Sequence, residues 1–282
     1  MNLESFVDAL EAKAAQTIKA EPGDYIGEDG LLYCGKCHTR KQKRVVILGK
    51  ERMPPILCKC ALEKRDREEA EQKRIEFLAT VKRYRQAGFP ESDMQTWTFA
   101  NADGTNEQIM TAAQKYVDNF GEFLKSGKGL LLFGTVGTGK TYAAACIANA
   151  LIDKGYPVLM TNFARIANTV GGMWEGKQEY YDSLNRYPLL ILDDLATERK
   201  TEYMQEIVFN VIDSRYRANL PLIVTTNLTS EELKHPSDIS YQRTFSRLLE
   251  MCLPVQVAGK DKRLEKLKAD IQPMRELLGL KG

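Results

Sequence analysis

A chain of 282 residues with 43% hydrophobic and 28% charged content has room for two domains and the make-up of a folded, water-soluble protein, which excludes a disordered or fibrous chain. Its net charge of +2 supplies no whole-molecule field that would announce a nucleic-acid partner. No apolar run approaches the roughly 20 residues of a bilayer span, and MNLESFVDALEAK lacks the form of a signal peptide, so a cytoplasmic protein with reduced thiols and no membrane contact is expected.

Leu3, Phe6, Val7, Leu10, Ala14 and Ile18 share one face of a helix, which Glu21, Pro22, Gly23 and Asp24 end. Cys34 and Cys37 then form a CxxC pair, followed after 20 residues by Cys58 and Cys60. Four thiolates from two close pairs suit one tetrahedral, closed, structural Zn²⁺ site. The CxC spacing is tighter than the usual CxxC, and His38 stands beside Cys37 as a possible replacement ligand. Free surface thiols and a redox pair are the alternatives, and the second needs a βαβ setting that is absent around Cys34. A basic module of about 60 residues without a large core needs such a staple. The other two cysteines, Cys146 and Cys252, sit in apolar segments and read as packing residues.

From Ala61 to about Gln86 the chain reads as one charged helix with a thin apolar stripe (Ile75, Leu78, Val81), stopped by Gly88, Phe89 and Pro90. Residues 34–90 carry 16 Lys/Arg against 7 Asp/Glu, so this part is basic and the remainder mildly acidic. The expected division is residues 1–60 as an N-terminal helix and zinc module, 61–90 as a charged helical linker, and 91–282 as the larger domain, which carries the motifs that follow.

From about Phe99 short β-rich runs alternate with helical patterns, the mark of an α/β domain with a central parallel sheet. The expected strands are 129–133, 157–161, 189–193, 222–226 and one near 253–257. Between the first strand and a helix-forming run lie Gly134, Thr135, Val136, Gly137, Thr138, Gly139, Lys140, Thr141 and Tyr142. That is the strand, glycine loop and helix of a phosphate-binding P-loop. Glycines let backbone N–H groups turn toward a pyrophosphate, and the helix N-terminus adds partial positive charge. Lys140 is expected on the β- and γ-phosphates of ATP and the Thr141 hydroxyl on Mg²⁺.

The run Leu189–Leu192 ends in Asp193 and Asp194, the form of a Walker B strand. Asp193 is expected to hold Mg²⁺ through water, and Asp194 takes the place of the carboxylate that polarises attacking water. Many related ATPases carry Glu there, so slow turnover is expected. The strand 222–226 ends at Asn227, which suits orienting that water. Arg243 and Arg247 follow on a helical run, where Arg247 suits an arginine finger supplied to a neighbouring copy. Arg263 suits a phosphate contact within its own chain.

In order, GTVGTGKT, LLILDDL, VTTNL, FSRLLE and GKDKR resemble the AAA+ ATPases of the DnaC/DnaI helicase-loader family, over residues 85–270. The segments around Tyr84 and Trp97–Phe99 are similar to the family's entry segment against the adenine, and the cysteine module is similar to that of the zinc-bearing DnaI and phage loaders. The resemblance implies a protein that binds a hexameric replicative helicase of the DnaB type through its N-terminal part. Its ATPase part then self-assembles with ATP into an open spiral oligomer and delivers the helicase onto single-stranded DNA. It also implies single-strand contacts between Thr161 and Lys177, with Arg165 and Lys177 as cations and Trp174 either stacking a base or packing the sheet.

An IstB-like transposition helper has nearly the same ATPase motifs, although the cysteine module favours a loader. A zinc-stapled adaptor that binds nucleotide and barely hydrolyses it is a third reading, kept open by Asp194, and a small-molecule kinase would leave Asn227 and Arg247 unexplained. A DnaA-like initiator is disfavoured because only about 20 residues follow Arg263, too few for a duplex-reading domain.

Overall fold

The computed structural model describes residues 20–47, 49–102, 106–196, 201–236, 238–259, 261, 271, 273–275 and 277–278. The apolar stripe of residues 3–18 and Arg263 lie outside this set. The chain divides into two compact units, Met1–Leu78 and Ala79–Gly282.

In the first unit β1 (Tyr25–Ile26) pairs antiparallel with β2 (Leu32–Tyr33), and β3 (Val45–Ile47) with β4 (Lys50–Arg52). Leu31, Cys34 and Cys58 are the buried apolar residues among those described here, so apolar burial alone leaves the unit short of a core. Asp24 substitutes for part of one. Its carboxylate accepts from the Lys41 ammonium at 2.6 Å, from the Glu21 N–H at 2.8 Å and from the Gly35 N–H at 3.1 Å. The Lys41 hydrogen bond first, and the Glu21 N–H second, hold the Asp24 carboxyl down at about 2, and the paired side chains bury each other's charge.

Helix α1 (Lys59–Gly88) is longer at both ends than the charged run suggests. Its interior is Ala, Leu, Glu, Lys, Arg and Gln, strong helix formers, and Lys59–Glu63, Lys64–Glu68 and Arg65–Glu69 are paired one turn apart. Such exposed pairs add only a few tenths of a kcal/mol each. Ile75 and Leu78 are exposed, whereas Val81, in the second unit, is buried. The helix stops at Gly88, where a Cβ would stand 2.5 Å from the Val158 carbonyl oxygen.

The second unit is built on a five-stranded sheet of order β6-β7-β8-β5-β9. The strands are β5 (Gly129–Phe133), β6 (Val158–Asn162), β7 (Leu189–Leu195), β8 (Leu222–Thr226) and β9 (Cys252–Gln256), and every pairing is parallel. This is the expected α/β fold. All five expected strands are present, with β7 running two residues further. Successive residues of β5 serve opposite faces. Leu130 and Leu132 join one core with α2 (Glu107–Asp118) and α4 (Lys140–Asp153), while Leu131 and Phe133 join the other with α5 (Phe163–Gly171), α7 (Glu202–Arg217) and α9 (Ile239–Met251). Helices therefore cover both faces, as a parallel sheet requires. The shorter helices of this unit include α3 (Phe120–Ser126), α6 (Lys177–Ser183) and α8 (Ser230–Lys234). Cys146 and Cys252 are buried as expected, and burial pushes the Cys146 thiol up to about 12. At the sheet's edge β9 carries Pro254 opposite Leu131, with Leu253 60% exposed.

Arg215 sets where two central strands begin. Its guanidinium is fully buried (0% exposed) and donates to the carbonyls of Tyr187 at 2.8 Å, Pro188 at 3.0 Å and Pro221 at 2.8 Å. These residues lead directly into β7 and β8. Replacing Arg215 by Met would orphan carbonyls at about 1 kcal/mol or more each. Arg215→Met should therefore destabilise this unit by about 3 kcal/mol, read as a lowered urea midpoint with unchanged slope.

Candidate functional site

At the end of β5 the chain turns through Gly134, at φ 143°, where a Cβ would lie 2.3 Å from the Val257 carbonyl oxygen. Only glycine combines that dihedral with that approach. Gly137 and Gly139 are also left-handed, and α4 starts at Lys140. The Lys140 ammonium donates to the carbonyls of Gly134 at 2.9 Å and Thr135 at 2.7 Å. The Thr138 hydroxyl donates to Thr135 O at 2.9 Å. The loop is thus closed on itself, with the lysine folded over it and the helix N-terminus beneath, an arrangement made for phosphate.

A cleft of about 310 Å³ opens on this loop, lined by Val136, Gly137, Thr138, Gly139, Lys140, Thr141 and Tyr142, by Asp194 and Asn227, and by Trp97, Asn101, Ala102, Asn106, Ile109 and Met110. One end is polar and phosphate-directed, the other aromatic and apolar, the division a nucleotide requires. The Trp97 ring stacks on Tyr142 at 5.4 Å, and the Tyr142 hydroxyl donates to Thr98 O at 3.1 Å. Asn149, buried in α4, donates through Nδ2 to the carbonyls of Met94 at 2.8 Å and Trp97 at 2.9 Å. Sequence reasoning missed this tie. Its signal was an amide inside the otherwise apolar run 143–151.

The acidic pair sits on an irregularity. β7 and β8 are in register at Leu192↔Val224 and again at Leu195↔Thr226, so two residues of β7 oppose Thr225 alone, a β-bulge. Asp194 adopts φ 58° there, a left-handed conformation that Asp and Asn tolerate better than longer side chains. The Thr225 hydroxyl donates to Asp193 Oδ1 at 2.7 Å and accepts the Asp194 N–H at 2.9 Å. Thr226 makes the matching bonds one step on, to Leu195 O at 2.8 Å and from Leu228 N at 3.1 Å.

Asp193 is not among the residues that line the cleft. Burial, and then the charge of Asp194, raise its pKa, opposed by the hydroxyls of Thr225 and Thr141 and by Lys140. A carboxylate whose charge is costly to bury, next to a P-loop threonine hydroxyl, fits a divalent cation. Thr141 and Asp193 are therefore a fitting donor pair for Mg²⁺.

Arg247 is not among the lining residues. Its guanidinium pairs with Asp213 and packs over the rings of Phe209 at 5.0 Å and Tyr216 at 5.4 Å. Asp213 also holds Arg217 at 2.8 Å. Arg243 is exposed. Of the single-strand candidates, Arg165 donates to Pro90 O at 2.9 Å and Lys177 stands 6.0 Å over the Tyr203 ring. Trp174 is 100% exposed and packs on no sheet, which removes one of its two expected roles.

In the first unit the sulphurs of Cys34, Cys37, Cys58 and Cys60 all lie within 4.8 Å of one another. Cys34 and Cys60 are 3.6 Å apart and Cys58 and Cys60 3.4 Å. Tetrahedral zinc thiolate at about 2.3 Å places sulphurs about 3.8 Å apart, so the set fits. The Thr39 hydroxyl, 3.1 Å from Cys37 Sγ, is the leading cause that holds the Cys37 thiol down at about 5. Hydrogen bonds shared with Cys58 and then Cys37 push the Cys60 thiol up to about 12. His38 is outside the group. It adopts φ 54° and its ring lies 5.9 Å from that of Tyr25.

The sequence model of a family described as IstB-like ATP binding protein matches residues 68–269. The replicative helicase loader DnaI of Bacillus subtilis (strain 168) is 27% identical over 191 residues, covering 61% of this chain and 60% of the relative. A putative insertion sequence ATP-binding protein of Sinorhizobium fredii is 34% identical over 110 residues, 37% of this chain and 36% of the relative. A crystal structure of DnaI shares the fold, with a TM-score of 0.52 at 24% identity over 64% of this chain and 98% of that one. The chain thus spans three-fifths or less of the length of these curated relatives. Among the described residues no helix is long and apolar enough to cross a membrane.

Two outcomes check the sites. Lys140→Ala should weaken binding of a fluorescent adenine nucleotide by at least about a hundredfold, through loss of the only charge aimed at the phosphates from the loop; undiminished affinity contradicts the phosphate assignment. Stripping metal with a strong chelator should unfold residues 20–58 by hydrogen exchange while leaving the 129–257 core protected.

Proposed function

The chain belongs to the family of IstB-like ATP binding proteins, and from that premise we propose that it is an ATPase that loads a replicative helicase onto single-stranded DNA. Lys140 binds the β- and γ-phosphates within the loop Gly134–Thr138, and Tyr142 with Trp97 takes the base. Thr141 and Asp193 would hold Mg²⁺, which supplies charge to offset that of the phosphates. Asp194 accepts the proton of the attacking water, and Asn227, beside it in the cleft, orients that water. Arg247 of a neighbouring copy completes the site in an ATP-dependent spiral oligomer, and Arg263 contacts phosphate in its own chain. For Arg247 to act in this way it must leave Asp213, which Arg217 continues to neutralise.

The observation that carries the loader reading is the four-cysteine cluster ahead of the ATPase unit, taken with the resemblance of that module to zinc-bearing loaders. In this reading residues 1–60 hold zinc and bind the helicase, 61–90 form a charged linker, and 91–282 are the ATPase. Single-stranded DNA meets the segment 161–177, where Trp174 offers a bare ring for base stacking. The family's own description and the Sinorhizobium relative favour a second reading, a helper ATPase in transposition.

The test is to mix the zinc-loaded protein with a hexameric replicative helicase and ATP and to weigh the complexes. A complex of helicase with several copies of this chain is expected, and its absence with every helicase tried, against capture of a transposase, would select the second reading. Asp194→Asn should leave nucleotide affinity within about twofold and lower ATP turnover by at least about a hundredfold. Arg247→Ala should lower turnover only at concentrations where wild type assembles. A concentration-independent loss would contradict supply in trans.

A further inference from the structure

We propose that Thr225 is the positioning residue of the acidic pair, in that its single hydroxyl fixes the Asp193 carboxylate and the Asp194 backbone against each other and against β8. This rests on the ATPase reading above.

Thr225 is completely buried (0% exposed) and follows Leu222, Ile223 and Val224, all equally buried. In such a run a β-branched apolar residue would fill the space with higher strand propensity and no polar atom to satisfy. The hydroxyl is retained against that cost, and it bonds to both members of the acidic pair. It donates at 2.7 Å to Asp193 Oδ1 and accepts at 2.9 Å from the Asp194 N–H. It stands opposite the bulge, between the registered pairs Leu192↔Val224 and Leu195↔Thr226. One residue of β8 therefore faces two of β7, and the hydroxyl addresses both.

The mechanical consequence is specific. Asp194 is held at φ 58°, a conformation outside the strand region that needs an external hold. The Thr225 oxygen supplies one by taking the Asp194 N–H. The same oxygen orients the carboxylate of the preceding residue, so the two acids cannot turn independently. Asn227 lies two residues further along the same strand segment, at the cleft. The water-orienting amide, the acid that accepts the proton and the acid on the metal side are thereby referred to one strand end. Thr226 clamps the far side of the bulge through Leu195 O and the Leu228 N–H, so it serves as the internal comparison.

The experiment uses full-length protein carrying Thr225→Val, Thr225→Ser or Thr226→Val. Steady-state ATP turnover and the amide exchange of Asp194 in nucleotide-free protein are measured on each. Thr225→Val should keep its KM for ATP within about twofold and lose at least about tenfold in kcat, with faster exchange at Asp194. Thr225→Ser should recover kcat to within about threefold and restore the exchange rate, because it keeps the hydroxyl and loses only a methyl group. Thr226→Val should leave the Asp194 amide as in wild type. The proposal is overturned by wild-type kcat in Thr225→Val, by equal losses in the Val and Ser variants at equal melting temperature, or by unchanged Asp194 exchange in Thr225→Val. Absence of turnover in the wild type itself would instead remove the ATPase reading, and the Asp194 exchange rates would then decide the positioning role alone.

Discussion

Parallel pairing is the constraint on which the site depends. Because β5, β7 and β8 run in one direction, their carboxyl ends emerge at one edge of the sheet, and whatever follows each strand is delivered to the same place. The glycine loop after β5, the acidic pair ending β7 and the polar tip of β8 are far apart in sequence and adjacent for this reason alone. Arg215 acts at the opposite ends of the same strands, tying the residues before β7 and β8 to one buried guanidinium. A shift of either strand by one residue would exchange its two faces and withdraw its tip from the cleft.

The two units solve the problem of cohesion differently. The larger unit buries alternate residues of its central strands on both faces of the sheet. The cysteine module buries little apolar surface and relies instead on Asp24, which gathers Lys41 and two backbone N–H groups, and on four sulphurs brought to tetrahedral spacing. An ionic contact of this kind is sensitive to acid, because the lowered Asp24 carboxyl loses its charge only at strongly acidic pH and the pairing is lost with it.

Much of the fold was legible in the sequence because it is written in local signals. Runs of four or five apolar residues marked the strands, and glycines fixed the loop before Lys140. What was hidden depends on pairing across long sequence separations. Nothing local distinguishes Thr225 from any other threonine in a strand, and its meaning comes from a bulge in β7. Arg247 was legible as a helix arginine, but its bond to Asp213 and its seat between Phe209 and Tyr216 depend on how α7 and α9 pack. Trp174 could equally have been core, since a lone aromatic has no periodicity to read, and only the fold shows its ring bare. The left-handed backbone of Asp194 likewise belongs to the bulge, which a sequence does not display.

The border strand β9 has a consequence of another kind. A sheet edge is a template on which a further strand from another molecule can grow, and Leu253 makes this one sticky. Pro254 has no N–H to offer, so an incoming segment meets a gap in the ladder at the centre of a five-residue border. Along this border, runaway sheet extension is thereby discouraged.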